Sequence, residues 1–357
     1  MITIHDVAKH SGVSIATVSN VINNNAKVST KTAQRVKQAI QDLNYIPNHI
    51  AKGLKKNTTR TIGVLMEDIS SFASPYIIDS ICRQCESDGY NINIDNLRVN
   101  TKVNNETDDM FKHLAETDEF LISIREAVNT LLSARICGLI YVGVHPRDIG
   151  SILPPLNIPV VYTYCYSSTP ASDKAQCISY DDYQGAVLAA KYIISQGHTK
   201  TAVIGGMTNS HATKRRLMGY CSALIEHGLQ LSDEHLVYGN WTYESGYCLT
   251  DKLFGLQAPP TAVFAMNDLM AFGAIDALKK KGLRVPEDVS VHGFDDIQAA
   301  FFFSPPLTTI TLPLHEIGEA AADSVIKMSS SDGEALIAEN ILIPCKHVKR
   351  ASIKQIV

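Results

Sequence analysis

The sequence predicts an α/β protein carrying a small all-α head, and three observations point there. Residues 3–45 repeat apolar positions at helical spacing, with no strand pattern among them. From residue 61 the texture changes to short apolar runs that alternate with amphipathic helical stretches. Charge divides at the same place: residues 1–60 hold nine Lys/Arg against Asp6 and Asp42, net +7, leaving −11 for the rest of a chain whose total is −4. A basic head on an acidic body points to a polyanion partner for the head alone.

At 357 residues the chain exceeds one ordinary core, so two or three domains are expected. With 45% hydrophobic and 19% charged residues it is globular. No apolar run reaches the ~20 residues of a membrane span, and the N-terminus shows no apolar signal region. The expectation is therefore a cytoplasmic protein without membrane contact. Eight cysteines without a small secreted scaffold read as reduced thiols. Cys82 and Cys85 have the spacing of half a zinc site, but no second close Cys/His pair completes it, and they fall in a helical pattern over 76–87. No metal and no cofactor is expected.

Within the head, Ile4 to His10 forms the first helical pattern and Ser11-Gly12-Val13 the turn. Ser14 opens the second helix. Ser29 caps a third, which runs from Thr30 through Val36, Ile40 and Leu43 until Pro47 and the residue before it stop the pattern. On the second helix Val18, Val21 and Ile22 make one buried stripe. Its other face carries Ser14, Ala16, Thr17, Ser19, Asn20 and Asn23, all short, with no long charged side chain. Two helices joined this way are a helix-turn-helix, whose second helix enters the DNA major groove. That groove, about 12 Å wide, admits a helix whose outer face is low and able to pair with bases. Ser14, Thr17 and Ser19 suit phosphates, and Ile15, Ala16 and Asn20 suit thymine methyls or an adenine edge.

In the body, candidate strands lie at 61–66, 90–95, 137–144, 159–165, 201–206, 261–266 and 288–294. Helical stretches at 76–87, 184–196, 213–227, 243–254 and 268–281 separate most of them. Such alternation implies parallel sheets with helices on both faces. Its length suits two stacked lobes with a ligand in the crevice at the strands' carboxyl ends. The polar segment 98–119 reads as a surface insertion, partly helical.

The stretch ITIHDVAKHSGVSIATVSNVINNNAKVSTKTAQRVKQAIQDLNYIPNHIAKGL closely resembles the N-terminal signature of the LacI/GalR family of bacterial transcriptional repressors. TIGVLMEDIS, AVIGG, RRLMGY, GNWTYESGY, AVFAMNDLMAFGAIDALKKKGLRVPEDVSVHGFDDI and PPLTTI follow in the family's order. Only 98–130, where this chain is longer than usual, falls outside the likeness. The resemblance implies a helix-turn-helix domain over 1–47, a hinge helix and linker over 48–60, and a two-lobed, periplasmic-binding-protein-like α/β core over 61–357. Lobe 1 would span about 61–179 plus 306–330, and lobe 2 about 180–305 plus 331–357.

Residue by residue, the resemblance makes Ile15 and Ala16 base readers, and it puts Asn20 where the family commonly has arginine. Arginine pairs with guanine and asparagine with adenine, so the usual operator is not implied. Asn48, Ala51 and Leu54 match the family's hinge helix, which folds on DNA and drives a leucine into the minor groove; Leu54 is that wedge. Such a short helix is marginal in water, and Gly53 weakens it further. In the core, Arg216, Asn267 and Asp295 match residues that grip an effector's hydroxyls, and Trp241 matches an aromatic that stacks on its ring. Asn267 and Asp295 also suit helix caps. Two matches depart from the pattern: Tyr164 stands where an acid is common, and Ser74-Pro75-Tyr76 replaces an asparagine-proline-aromatic motif on the ligand side.

The expectation is a homodimeric repressor of carbohydrate-utilisation genes that binds double-stranded operator DNA under control of a small sugar effector. A corepressor-dependent regulator answering to a purine or a phosphocarrier protein is the alternative within the class. From another class, a sugar-binding transport protein is disfavoured by the basic head. An enzyme is disfavoured because Gly205-Gly206 after a strand is not G-x-G-x-x-G and no nucleophile–base signature is present.

Overall fold

The computed structural model describes residues 2–22, 28–45, 60–99, 117–330 and 339–356. The chain divides into two compact units, 1–59 and 60–357.

In the first unit, helices α1 (Ile4–Ser11), α2 (Ile15–Ile22) and α3 (Thr30–Asp42) arise where the apolar spacing puts them. The Thr3 backbone N–H donates to the Asp6 carboxylate at 2.8 Å and closes the first turn of α1. Gly12 ends it at φ 62°, a left-handed conformation that glycine adopts without strain. Ser14 then accepts the Thr17 N–H at 3.2 Å, and Ser29 the Thr32 N–H at 3.4 Å, to open α2 and α3. Val7, Ala8, Val18, Val21, Val36 and Ala39 close a small core between the three helices.

The second unit begins with β1 (Thr61–Met66), α4 (Ser74–Ser87), β2 (Asn91–Asn96), α5 (Asp118–Ser133), β3 (Gly138–Val142), β4 (Val160–Thr163) and β5 (Ala175–Tyr180). It continues with α6 (Asp182–Ser195), β6 (Thr201–Gly205), α7 (His211–Glu226), β7 (Leu236–Tyr238), α8 (Tyr243–Leu253), β8 (Ala262–Ala265), α9 (Asp268–Lys280) and β9 (Ser290–His292). The chain then forms α10 (Ala299–Phe302), β10 (Thr309–Thr311), α11 (Leu314–Ser330), β11 (Ile341–Ile343) and β12 (Lys346–Val348). One sheet has the order β11-β5-β4-β3-β1-β2 and a second the order β7-β6-β8-β9, and both are parallel. Strands β10 and β12 pair antiparallel in a separate two-stranded ladder. Strands β3, β6 and β8 are buried along their whole length, which is why each reads as an unbroken apolar run rather than an alternating one. Helix α4 packs on α11, α6 on α7 and α8 on α9.

Two expectations need correction. Residues 331–357 were expected in the second lobe, yet Ile341–Ile343 pairs with β5 at the edge of the first lobe's sheet. A three-residue edge strand carries no periodicity, so only its pairing reveals where it belongs. The sequence pattern also omits β5, β7, β10 and β12, as well as α5, α10 and α11. Most of the polar segment 98–119 lies outside the described residues; α5 begins at its end, opened by the Thr117 hydroxyl accepting the Phe120 N–H at 3.3 Å. Cys82 and Cys85 lie on α4 with Cys85 buried in the core, and all eight cysteines are free thiols. Among the described residues no helix is long and apolar enough to cross a membrane, and no three metal-ligating side chains come together.

Candidate functional site

The first unit presents the outer face of α2. Ser14, Ile15 and Ala16 are exposed, and Thr17, Ser19 and Asn20 half-buried. The Ser14 and Thr17 hydroxyls lie 2.9 Å apart and hydrogen-bond each other, holding both side chains close to the helix. Ile15 leaves 40% of its surface in water, an apolar exposure that a small core does not require. Asn23, Asn48, Ala51 and Leu54 lie outside the described residues.

The second unit has a cleft of about 320 Å³, and nearly every wall residue sits just past the carboxyl end of a parallel strand. Phe72 follows β1, Val144 to Pro146 follow β3, Tyr164 follows β4 and Tyr180 ends β5. Trp241, Asn267 and Asp295 follow β7, β8 and β9. That is where parallel α/β sheets bind ligands, because the loops splay there with unspent polar groups. Tyr164, Trp241 and Asp295 carry positive φ values of 61°, 71° and 113°. Left-handed backbone at three non-glycine residues around one cleft is strain that the surrounding packing must hold in place.

Arg216 is the hub. Its side chain is 4% exposed and crosses the floor of the cleft from α7. Its Nε donates to Asp182 at 2.7 Å, one terminal nitrogen to the Tyr180 hydroxyl at 2.9 Å, and the other to the Met266 carbonyl. The same guanidinium lies 3.5 Å from the Asp295 carboxylate and 3.7 Å above the Phe294 ring. Asp295 pays for its burial in acidity: desolvation, joined by the nearby Asp182 charge, pushes its carboxyl up to about 7 in spite of Arg216. Asn267 is a helix cap as well as a wall, since it accepts the Met270 N–H at 2.9 Å and donates to the Trp241 carbonyl at 2.8 Å. The Asp295 loop is itself anchored by Asp268, which accepts the Ile297 N–H at 2.9 Å and the Thr309 hydroxyl at 2.6 Å. The Trp241 indole packs against Gly206, where a Cβ would collide with it.

A second support lies under the opposite wall. Glu67, fully buried, accepts from the Tyr141 hydroxyl at 2.6 Å, the Val144 N–H at 2.8 Å and both terminal nitrogens of Arg147. Burial pushes the Glu67 carboxyl up, but the Arg147 charge and these hydrogen bonds outweigh it and hold it below the usual range. The clamp fixes the turn that carries His145 and Pro146 into the cleft. Burial lowers the His145 imidazole to about 3, so it meets a ligand neutral.

The expected residues thus divide. Tyr164, Arg216, Trp241, Asn267 and Asp295 come together in the cleft. Ser74 and Tyr76 do not. Ser74 is buried and donates to the Asp68 carbonyl at 2.7 Å, sealing the start of α4. Tyr76, in the first turn, meets His315 edge-on at 5.6 Å in an adjoining groove that shares Phe72, Asp295 and Ile297 with the cleft. The helix starts earlier than the motif suggests, so Phe72, ahead of it, is the aromatic that reaches the cleft. Phe72, His145, Tyr180, Ser210 and Ile297 carried no sequence signal: Tyr180 ends β5, a strand the pattern omits, and the others are brought in by loops whose course the sheets set.

A family model described as bacterial regulatory proteins, lacI family, matches residues 3–48. A second, periplasmic binding proteins and sugar binding domain of LacI family, matches residues 108–351. The HTH-type transcriptional repressor PurR of Vibrio vulnificus (strain CMCP6) is 34% identical over 332 residues, 92% of each chain. PurR of Mannheimia succiniciproducens is 34% identical over 362 residues, covering all of both. The crystal structure of the lac repressor dimer bound to operator and the anti-inducer ONPF superposes with a TM-score of 0.78 at 28% identity, over 99% of both chains.

Proposed function

The chain belongs to the LacI family of bacterial regulatory proteins and is a DNA-binding transcriptional repressor, not an enzyme, and from that premise we propose that its operator affinity is raised by a purine-type corepressor held in the cleft. One observation carries the choice of ligand: the arginine and asparagine expected to grip sugar hydroxyls are largely engaged inside the protein. Arg216 gives three of its five N–H groups to Asp182, Tyr180 and the Met266 carbonyl, and each end of the Asn267 amide already has one partner in the protein. Toward the cavity the rings of Phe72, Tyr164, Tyr180 and Trp241 dominate, with the Asp295 carboxyl, the neutral His145 imidazole and the Ser210 hydroxyl as the few polar groups between them. A sugar offers a hydroxyl at nearly every carbon and would leave most of them unpaired. A flat heterocycle offers two faces to stack and an N–H for the carboxylate. At about 30 Å³ per water-sized volume the cleft has room for a bicyclic ring. The PurR relatives, purine-responsive repressors, support the same reading over the sugar-utilisation one.

The mechanism follows from the position of the cleft between the two sheets. A ligand touching loops of both lobes favours the arrangement in which those loops close on it, and it shifts the population by its differential affinity for that state. The head reads one half-site through Ser14, Ile15, Ala16, Thr17, Ser19 and Asn20. As a homodimer the protein reads two half-sites, as the lac repressor dimer bound to operator suggests by likeness. The test uses a duplex selected by this protein from random DNA. Hypoxanthine and guanine should raise the melting temperature and tighten binding to that duplex, while monosaccharides should not tighten it. Tightening by a monosaccharide, with no effect of either purine, overturns the purine reading.

A further inference from the structure

A second cavity of about 300 Å³ adjoins the effector cleft and shares only Pro146 and Tyr180 with it. Helix α7 forms a common wall. His211 and Arg215, four residues apart, line the second cavity, while Ala212 and Arg216, on the neighbouring stripe of the same helix, line the first. From β5, alternation sends Cys177 and Ser179 to one side, and both line the second cavity.

This cavity has polar groups with nothing to bond. The Ser179 hydroxyl, on a residue 9% exposed, and Nδ1 of His211 are buried without a hydrogen-bond partner. Such atoms are rare in folded proteins and call for an occupant that donates and accepts. Charge narrows its class. Asp182 is neutralised by Arg216 at 2.7 Å, and Asp181 faces Arg215 at 3.4 Å, so the wall holds no surplus charge for an anion or a cation. Tyr166, its ring 5.3 Å from that of His211, supplies a flat apolar face. A neutral wall with alternating hydroxyl, imidazole, carboxylate and guanidinium groups beside an aromatic ring is matched to a hydroxylated carbon skeleton. We propose that the second cavity binds a neutral polyhydroxylated molecule of monosaccharide size and is coupled to the effector cleft through helix α7. Occupancy there fixes His211 and Arg215 and so biases the helix that positions Arg216.

Calorimetry on the full chain with D-ribose, D-glucose and myo-inositol as probes, with hypoxanthine in parallel, tests this. At least one polyol is expected to bind once per chain at millimolar concentration or below. Ser179→Ala and His211→Ala should each weaken it about tenfold while leaving hypoxanthine affinity unchanged. Trp241→Ala should do the reverse, weakening hypoxanthine and sparing the polyol. If no polyol binds, or if Trp241→Ala abolishes polyol binding while Ser179→Ala spares it, the second site is overturned. If the polyol binds through Ser179 and His211 but hypoxanthine does not bind, the second site stands and the purine reading of the first cleft falls.

Discussion

Asp295 sits in the cleft with its carboxyl raised to about 7, and the sign of its effect on binding and on stability can be worked out. The folded protein holds this proton more tightly than the unfolded chain, whose aspartates titrate near 4. Its contribution to stability is therefore full below about pH 4, declines as pH rises toward 7, and is flat above. An effector that donates an N–H needs the ionised form. Effector affinity should then fall below pH 7, by at most about tenfold per unit, and Asp295→Asn should weaken binding and abolish that slope. Calorimetric titration at several pH values measures both, and an unchanged slope in the variant would assign the titration elsewhere. Gly206 makes a second prediction. A Cβ there collides with the indole of Trp241, so Gly206→Ala should displace the ring and cut effector affinity while the fold survives. Tryptophan fluorescence reports it cleanly, since Trp241 is the chain's single tryptophan; an unmoved emission maximum with normal affinity would remove the ring from the site.

At the scale of elements, the loops after β3 and β9 are held by buried carboxylates rather than by hydrophobic packing. Glu67 clamps the first through Arg147 and the Val144 N–H, and Asp268 the second through Ile297 and Thr309. Removing one partner of a buried pair leaves the other charge uncompensated, at a cost of roughly 3–5 kcal/mol. Glu67→Gln should destabilise the core by about that much, and Glu67→Gln combined with Arg147→Met should recover part of it. Chemical denaturation of the three variants decides. If the double variant is no better than the single one, the two side chains do not act as a pair. On the proposed reading, helix α2 is built the opposite way: apart from Ile15 its exposed residues are short, so it can approach a groove floor that longer side chains would hold away.

At the scale of the whole molecule, the two units carry separate cores and separate chemistry. Deleting residues 1–60 should abolish operator binding, because net +7 and the reading helix go with them, and leave a folded core that still binds effector. A truncated core that continues to shift the selected duplex would show that the DNA affinity lies elsewhere.

The sequence by itself determined the helical head, with its caps at Ser14 and Ser29 and its turn at Gly12, because these depend on neighbours within a turn of one another. It determined the central strands for a similar reason: a run buried on both faces is apolar without interruption. It also placed five of the seven expected cleft residues, four through motifs just past strand ends and Arg216 through one on helix α7. Tertiary structure alone decided the rest. The edge strand Ile341–Ile343, the displacement of Ser74 and Tyr76 in favour of Phe72, and the clamp from Glu67 to Arg147 all join residues far apart in the chain. Only the tertiary structure, too, showed that Arg216 and Asn267 are already bonded to the protein. A side chain's identity is local, but whether its hydrogen bonds are free for a ligand depends on every group that the fold brings within 3 Å of it.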